Sequence, residues 1–354
     1  MKWSYKIFQV AKIPIKIHLS FLLVLAILLY FLITSGFGSF LFSVFWIIAI
    51  FAVVIIHELT HSLVGKLFGY EVQDITLLPI GGMARMKEIP EKPLAEILVA
   101  VSGPMINVVI GVIGSIIFFI LYGPDFFFDV DLENYTFSRM FISFNFIMAI
   151  FNLLPIFPMD GGRILRGFLA LFLDYSKATH FAAEAGRVMA VILIIGAIFF
   201  KQFWLVLIGI FIFFGSKQEE QMYLLRHILS HYKVSDVYRK NVLSLKRTDL
   251  IFEIGESVVN STQDYFPILD GEKVVGVITR EAVFKAYYEG NLRQEIEALM
   301  SNDFVEINED EDLFKVLMGM MEGKANLGIV YHAENFSGIL TMREINNIYH
   351  LMKK

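Results

Sequence analysis

Three side chains able to bind a metal or move a proton stand within one short segment, His57-Glu58-Leu59-Thr60-His61. Four residues make about one helical turn, so His57 and His61 would project from one face and offer two imidazole nitrogens to a single Zn²⁺. Glu58, one position further round the helix, would then act on a water molecule as general base without binding the metal. The segment predicts a hydrolytic metal site.

A histidine pair at this spacing also occurs by chance, as a helix cap or as the partner of a carboxylate. The residues before it weigh against that interpretation, because residues 19–56 contain no charged side chain. Ionisable groups placed directly after such a run are costly in hydrocarbon unless they face a polar cavity or bind something. The apolar context therefore favours the metal site.

The composition is that of a polytopic membrane protein. Of the 354 residues, 56% are hydrophobic and 18% are charged, an apolar fraction above that of ordinary soluble domains. Cysteine is absent, which leaves His and carboxylate side chains as metal ligands. The net charge is −5 without a basic tract, so no nucleic-acid partner is expected. The first eighteen residues lack a cleavage site, and no cleaved signal peptide is expected.

The uncharged runs predict six transmembrane helices, since one crossing needs about 20 apolar residues. Residues 19–56 would hold two crossings, broken by a turn at Ser35-Gly36-Phe37-Gly38-Ser39. The other four are expected, in order, at 97–124, 140–159, 188–200 and 202–216, with Lys201 between the last two. Residues 6–18 alternate loosely, which suits a strand at the membrane interface.

The distribution of Lys and Arg predicts the orientation of these helices. The N-terminal segment and the loops at 70–95 and 160–180 each contain three or more Lys or Arg residues, whereas the acidic segment Asp125-Phe126-Phe127-Phe128-Asp129-Val130-Asp131 contains none. With six helices, all the basic segments lie on one side, which is then the cytosol. The sequence thus predicts a multi-pass protein of the cell membrane with both termini cytosolic. The two histidines would lie near the cytosolic end of the second helix.

A site with two histidines needs a third ligand at similar depth, and the end of the fourth helix offers one. The segment reads Asn152-Leu153-Leu154-Pro155-Ile156-Phe157-Pro158-Met159-Asp160-Gly161-Gly162. Its prolines stop a helix and its glycines permit positive φ, so Asp160 is expected on unwound backbone lining a cavity. Taken alone, Asp160 could be an ordinary aspartate at a helix end. Beside the histidine pair, metal binding is the favoured interpretation.

These elements resemble the site-2 protease family, the intramembrane zinc metalloproteases of peptidase family M50. The matching segments are His57-Glu58-x-x-His61, Asn152-x-x-Pro155 with Asp160-Gly161, Ser102-Gly103-Pro104-x-x-Asn107, and Leu78-Pro79-Ile80-Gly81-Gly82. The resemblance covers residues 1–220. It implies one Zn²⁺ per chain held by His57, His61 and Asp160, with Glu58 activating water.

The same resemblance implies supporting roles for two asparagines. Asn152 would lie near the site as support for the substrate or the oxyanion, and Asn107 is assigned the same role. Asn107 has an alternative, because Gly103, Pro104 and Asn107 could serve close helix packing and an interhelical hydrogen bond. The substrate would be a membrane protein whose transmembrane helix unwinds locally. Residues 75–80 would offer it an edge strand, ended by Gly81-Gly82.

The composition changes beyond residue 217, where charged residues recur regularly and no run is long enough to span a membrane. This tail repeats at a spacing of 62 residues, which aligns Val242 with Phe304 and Phe252 with Phe314. Each copy is predicted to fold as strand, helix, strand, strand, helix. The third strands end in Gly276-Val277-Ile278-Thr279 and Gly338-Ile339-Leu340-Thr341. The tail is therefore expected to be a cytosolic α/β domain.

The repeated unit resembles a pair of cystathionine-β-synthase (CBS) domains, which implies binding of an adenine nucleotide, ATP or AMP. Thr279 and Thr341 match the hydroxyl that this family places on the phosphate or ribose side. The acidic residue expected three positions later is Glu344 in the second copy but Ala282 in the first, which weakens the nucleotide site there. The alternative is a packing and dimerisation module without ligand. A homo-oligomer formed through the pair is expected.

The resulting hypothesis is a polytopic α-helical membrane protein of six transmembrane helices with a short membrane-associated β segment, followed by a cytosolic α/β tandem CBS domain. Residues 1–220 would be an intramembrane zinc endopeptidase, and CBS domains at 225–290 and 291–354 would regulate it or hold its dimer together. A membrane transporter is a competing hypothesis, but internal repeats among the first 220 residues are not seen. A catalytically silent scaffold is another, and it would not need Glu58.

Overall fold

The computed structural model describes residues 4–78, 81–86, 91–124 and 137–352, in two compact units, Met1–Gln221 and Met222–Lys354. The first unit contains β1 (Ser4–Val10), β2 (Ile13–His18), α1 (Leu22–Leu67), β3 (Val72–Leu78), β4 (Gly81–Met86), α2 (Pro93–Tyr122), α3 (Phe137–Leu153), α4 (Asp160–Leu169), α5 (Tyr175–Phe199) and most of α6 (Phe203–Leu229). Two parts of the sequence predictions lie outside the described residues, namely Pro79 with Ile80 and the acidic loop at 125–131.

Helix α1 is helical over Leu22–Leu67, yet the chain folds back on itself within this span. The ring of Phe21, directly before α1, lies 4.7 Å from the ring of Phe51, although 30 residues of straight helix would separate them by about 45 Å. The apolar segments Leu19–Thr34 and Phe40–Leu67 lie on either side of residues 35–39, where the sequence predicts a turn. The reversal therefore agrees with two helical segments in this span.

Three helices within the described residues are long and apolar enough to cross a membrane: Phe40–Leu67 of α1, α2 and α5. The apolar helices Leu19–Thr34 and Phe137–Leu153 are shorter than a crossing requires. The expected turn at Lys201 is present, with a φ of 56°, but α5 begins at Tyr175, well before the predicted start. The apolar helices fit a membrane protein, whereas the described residues do not confirm a count of six crossings.

The N-terminal sheet has the strand order β1-β2-β3-β4. Strands β1 and β2 form an antiparallel hairpin whose turn residues Ala11 and Lys12 both have positive φ, as a type I′ hairpin turn requires. Strand β3 pairs in parallel with β2 and antiparallel with β4. The prediction that residues 75–80 form an edge strand is therefore wrong, since β3 is internal. Within the described residues, β1 and β4 are the two edges of the sheet, and Gly81 and Gly82 begin β4 instead of ending a strand.

One face of this sheet packs on α1. Alternate residues of β2 and β3 are fully or almost fully buried and form a cluster with Val54, one turn of α1 before the histidine pair: Ile13, Ile15, Ile75 and Leu77. Ala84 of β4 packs against the same cluster. Because alternate side chains of a strand lie on the same face, this burial pattern places one face of the sheet against the part of α1 that contains His57 and Glu58.

The second unit contains two copies of one motif. Copy one has β5 (Leu245–Lys246), α7 (Ile251–Asn260), β6 (Tyr265–Asp270), β7 (Lys273–Thr279) and α8 (Arg280–Tyr288), and copy two has β8 (Val305–Asn308), α9 (Leu313–Gly323), β9 (Leu327–His332), β10 (Asn335–Thr341) and α10 (Met342–Met352). Each copy forms a three-stranded sheet of one parallel and one antiparallel pair. A shared apolar cluster that includes Val274, Val277, Leu327 and Ile339 joins the two copies.

Candidate active site

The structure brings together three potential metal ligands from two helices. His57 and His61 belong to α1, and Asp160 begins α4. His57 Nε2 and His61 Nε2 are 3.1 Å apart, and Asp160 Oδ2 lies 3.2 Å from the first and 3.1 Å from the second. These three side chains lie close enough together for one atom of each to bind the same metal ion. Sequence reasoning predicted the same three residues.

The spacing of these three atoms fits zinc. Ligands bound at about 2.0–2.1 Å in a tetrahedron are about 3.3–3.4 Å from one another. The three observed separations of 3.1–3.2 Å are close to one face of such a tetrahedron. Two imidazole nitrogens and one carboxylate oxygen also form a donor set typical of catalytic zinc, with the fourth position left for water or substrate. The residues present therefore fit a zinc ion.

Hydrogen bonding directs the Nε2 atom of His61 toward this triangle. His61 Nδ1 donates to the carbonyl oxygen of Val99 in α2 at 2.6 Å, and Ser102 Oγ donates to the same oxygen at 2.7 Å. A proton held on Nδ1 leaves the Nε2 lone pair for a metal, which is the usual arrangement for a metal-binding histidine. Nδ1 of His57 is buried and has no hydrogen-bond partner among the described residues.

Gly103 in α2 lies against both imidazoles. A Cβ atom at this position would be 2.2 Å from His61 Nε2 and 2.7 Å from His57 Nε2. Gly103 thus allows α2 to approach α1 closely, which agrees with the alternative prediction that this motif serves helix packing. The interhelical hydrogen bond predicted for Asn107 is not found among the described residues. Its carboxamide is fully buried, and neither Nδ2 nor Oδ1 has a partner among them.

Asp160 is the first residue of α4, which corrects the expectation that it lies on unwound backbone. The irregular stretch precedes it at residues 154–159, directly after α3 ends at Leu153. Gly161 and Gly162 have no positive φ and serve close packing instead. A Cβ on Gly161 would be 2.1 Å from the carbonyl oxygen of Leu154, and one on Gly162 would be 2.6 Å from the amide nitrogen of Phe157. The two glycines allow α4 to fold back onto the stretch before it.

Glu58 follows His57 in α1 and is half-buried, and β4 packs against its side chain. A Cβ on Gly82 would be 2.6 Å from Glu58 Cγ and 3.0 Å from Val54 Cγ1. The edge strand therefore runs directly beside the candidate general base. Asn152, in contrast, donates from Nδ2 to the carbonyl oxygen of Met148 in its own helix at 3.0 Å, and the structure does not bring it into the ligand triangle.

Comparisons with known proteins identify the family. The sequence profile of peptidase family M50 matches residues 45–136 and 128–196. The zinc metalloprotease MJ0392 of Methanocaldococcus jannaschii is 30% identical over 350 residues, which cover 98% of this chain and 96% of that protein. The chain belongs to peptidase family M50. The resemblance to site-2 proteases predicted from the motifs is thereby confirmed, and this M50 peptidase is a zinc metalloprotease of membranes.

Two solved structures are also similar to parts of this M50 peptidase. A site-2 protease from Methanocaldococcus jannaschii matches with 32% identity and a TM-score of 0.46, covering 62% of this chain and 95% of that one. The CBS domain pair of protein MJ0100, solved with 5′-methylthioadenosine and S-adenosyl-L-methionine, matches with 25% identity and a TM-score of 0.31, covering 35% and 98%. The profile of the CBS domain matches residues 234–289.

The three residues predicted to contact a nucleotide have internal partners in the second unit. Thr279 caps α8, with its hydroxyl accepting from the amide of Ala282 at 3.1 Å. In copy two, the carboxylate of Glu344 accepts from both the amide and the hydroxyl of Thr341, and it lies 3.4 Å from Arg239. The equivalent threonines thus both stabilise the start of a helix.

Sequence reasoning missed several groups that shape the M50 site. The carbonyl oxygen of Val99 orients His61, and Gly82 packs on Glu58. A backbone carbonyl gives no sequence signal. Gly82 and Gly103 were noticed as parts of motifs, but only the structure shows that they pack against Glu58 and the two histidines.

Proposed function

We propose that this M50 peptidase cleaves transmembrane or membrane-proximal segments of membrane proteins, within or at the edge of the bilayer. His57, His61 and Asp160 would hold one zinc ion, and Glu58 would be the general base. The observation behind this assignment is the triangle of Nε2, Nε2 and Oδ2 atoms with sides of 3.1–3.2 Å. It lies at the end of a helix that is apolar enough to cross a membrane.

A bound zinc ion would supply a Lewis acid that polarises the scissile carbonyl and lowers the pKa of water at the site. The chain's own contribution begins with Glu58, whose carboxylate takes the proton from the attacking water and delivers it to the leaving amide nitrogen. Gly82 restricts the position of the Glu58 side chain, because β4 runs against its Cγ atom. The hydrogen bond from His61 Nδ1 to Val99 keeps Nε2 directed at the metal position.

The substrate would bind as an added strand on β4. Within the described residues, β4 is one of the two edge strands of the sheet, and its Gly82 packs against Glu58. An extended substrate segment paired with β4 would satisfy its backbone hydrogen bonds, which are otherwise costly to lose in an apolar environment. Asn107 and Asn152 would support the substrate or the oxyanion. Asn107 has a buried carboxamide without a partner among the described residues. Asn152 makes one hydrogen bond, from Nδ2 to Met148, so a second N–H could donate to an oxyanion and its Oδ1 could accept from a substrate amide.

We further propose a multi-pass arrangement with both termini in the cytosol, on the basis of the basic N-terminal segment and the Lys and Arg residues at 160–180, which span α4 and the start of α5. The membrane peptidase domain would comprise residues 1–220, with CBS domains at 225–290 and 291–354. These domains would regulate the peptidase or join two copies of the chain. ATP or AMP would be the ligand, at Thr279, Thr341 and Glu344. The duplicated β-α-β-β-α architecture and the CBS profile match support this part of the proposal.

The test is to purify the full chain, measure its zinc content, and offer it a panel of membrane proteins with one transmembrane helix each. We expect one zinc per chain and cleavage of at least one substrate within or beside its transmembrane helix. Glu58→Gln should retain zinc but lose cleavage, because the base is removed and all three ligands remain. Cleavage by Glu58→Gln at the wild-type rate would show that the base is assigned wrongly.

A further inference from the structure

We propose that Glu96 and Arg166 are positioning residues for the third zinc ligand, an inference that rests on the proposed role of Asp160. Glu96 lies in the first turn of α2 and Arg166 lies in α4, six residues after Asp160. Both are buried, with 4% and 6% of their surfaces exposed. Arg166 Nε donates to Glu96 Oε1 at 2.8 Å, and Arg166 Nη2 donates to the same oxygen. The ion pair joins the helix of Asp160 to α2.

Arg166 also contacts the segment that leads into Asp160. Its guanidinium lies over the ring of Phe157, 5.2 Å from the centroid, and Phe157 is fully buried in the stretch before α4. On the other side, the guanidinium lies 5.6 Å from the centroid of Tyr175, whose hydroxyl donates to Glu96 Oε2. Arg166 therefore touches residues on both sides of Asp160 in the sequence. Together these contacts restrain the backbone on which Asp160 stands.

The α2 face that contains Glu96 is the same face that orients the histidines. Glu96, Val99 and Gly103 follow one another at spacings of three and four residues, so they line one side of the helix. Val99 accepts the hydrogen bond of His61, and Gly103 lies against both imidazoles. An ion pair between this face and α4 thus sets Asp160 relative to the two histidines. Glu96 itself lies about 10 Å along the helix from Gly103, too far to be a ligand.

Helix α4 packs closely against α2 directly beside the Glu96–Arg166 ion pair. A Cβ on Gly167, the residue after Arg166, would be 2.8 Å from Ile97 Cγ1 and 3.0 Å from the carbonyl oxygen of Pro93. Helix α4 therefore rests directly on the first turn of α2. A buried ion pair adds little stability over apolar packing, because removing two charges from water is costly. The planar guanidinium, however, donates from both Nε and Nη2 to Glu96 Oε1, which is possible only in a narrow range of geometries, so the pair fixes how the two helices meet.

The test uses the full-length protein and measures zinc affinity by competition with a chelator, together with the visible spectrum of the Co²⁺-substituted enzyme. In Arg166→Lys the charge is kept but the planar fork is lost, and in Glu96→Gln the shape is kept but the charge is lost. We expect both variants to bind zinc about ten- to a hundredfold more weakly, as is typical when a group that orients a ligand is changed. We also expect an altered cobalt spectrum, since the ligand geometry changes.

The matched control is Arg187→Lys in α5, an arginine paired with Glu184 and Glu220 outside this cluster. It should leave zinc affinity and the cobalt spectrum unchanged. If a single variant does not fold, the double variant Glu96→Gln/Arg166→Met removes both charges and leaves neither buried without its partner. The proposal predicts weakened zinc binding in this folded double variant.

Wild-type zinc affinity and an unchanged cobalt spectrum in folded Arg166→Lys and Glu96→Gln, or in the double variant, would overturn the positioning role. Failure of the underlying assignment has a different signature. If Asp160→Ala binds zinc as tightly as the wild type, then Asp160 is not a ligand and the proposed function is wrong at that residue, whatever the Glu96 and Arg166 variants show.

Discussion

Gly103 of α2 lies so close to His61 of α1 that a methyl group on its Cα would stand 2.2 Å from the imidazole Nε2 atom. That atom is one corner of the ligand triangle. No non-bonded carbon and nitrogen tolerate such a separation, so a larger residue at this position must displace the imidazole. The size of one residue in α2 thus controls the position of the His61 imidazole, a proposed metal ligand in α1.

We therefore predict that Gly103→Ala weakens zinc binding by about ten- to a hundredfold, the range for changes beside a metal ligand. Chelator competition measures the affinity. The matched control is Gly196→Ala in α5, where a Cβ would meet no atom within 4 Å. Equal zinc affinity in Gly103→Ala and the wild type would contradict the close approach of the two helices.

The second prediction concerns Gly82, whose added Cβ would be 2.6 Å from Glu58 Cγ. Gly82→Ala should displace the general base while leaving His57, His61 and Asp160 in place. We expect kcat to fall on the order of a hundredfold, because misplacing a catalytic group by about 1 Å costs that much. Zinc content should remain that of the wild type. A parallel loss of zinc would mean that β4 supports the ligands and not the base.

The third prediction tests the carboxylate ligand. Asp160→Ala should lower both zinc occupancy and peptidase activity, because two imidazoles alone bind zinc weakly. The control is Asp174→Ala, at an aspartate whose side chain is 77% exposed and pairs with Lys177 at the surface. This control should change neither property. Metal analysis of both purified variants measures the outcome, and full zinc occupancy in Asp160→Ala would rule out the ligand.

The proximity of His57, His61 and Asp160, the proposed ligands, could be predicted from sequence because the motif that contains the two histidines is local. His57, Glu58 and His61 occupy one helical turn, and Asp160 follows two prolines that interrupt a helix. The backbone around Asp160 was predicted incorrectly for a physical reason. A Gly-Gly pair permits positive φ but equally permits close packing, and whether another chain segment approaches is a tertiary property. Here Leu154 and Phe157 approach the two glycines.

The strand at the site shows the same limit. Residues 72–78 have the pattern of a buried strand, yet the pattern does not say how many neighbours the strand has. Pairing of Ile15 and Ile17 with Ile75 and Leu77 is a contact between distant parts of the chain, and it makes β3 internal. The repeat in the second unit was easier to predict, because strands β6 and β9 begin at Tyr265 and Leu327, separated by the 62 residues of the sequence repeat.

The fourth prediction concerns Asp74, which lies buried in β3 between Lys16 at 2.7 Å and Arg85, whose Nε donates to it at 2.9 Å. Burial alone would raise the pKa of Asp74. The hydrogen bonds and charges of Arg85 and Lys16 outweigh burial and lower this pKa from 3.8 to about 2. The carboxylate therefore stabilises the sheet above about pH 4, and this stabilisation is lost as the pH falls through 2.

Asp74→Asn should accordingly lower the melting temperature of the metal-free protein at pH 7, by an amount equivalent to about 2 kcal/mol. The difference from the wild type should shrink as the pH is lowered from 4 toward 2. Asp310→Asn, at a side chain that is 76% exposed, serves as the control and should have little effect at any pH. A difference that stays constant down to pH 2 would show that the charge of Asp74 is not what stabilises the sheet.

The last prediction concerns the nucleotide site proposed in the second unit. Glu344 accepts from the amide and hydroxyl of Thr341, so it caps α10 as well as standing where a ribose contact is expected. Glu344→Ala would lose the cap and about 1 kcal/mol of stability with it. Glu344→Gln retains an acceptor for the cap while removing the charge, which makes it the informative variant. Ala282→Ser changes the equivalent position of copy one.

We expect ATP or AMP to raise the melting temperature of the full-length protein, since a ligand that binds only the folded state stabilises it in proportion to ln(1 + [L]/Kd). Glu344→Gln should weaken this effect more than Ala282→Ser, because only copy two has an acid that can accept from ribose hydroxyls. Calorimetry gives the dissociation constants directly. If neither nucleotide binds at millimolar concentration, Thr279, Thr341 and Glu344 act only as helix caps. The second unit would then be a structural module, and any regulation of the peptidase would not come from an adenine nucleotide.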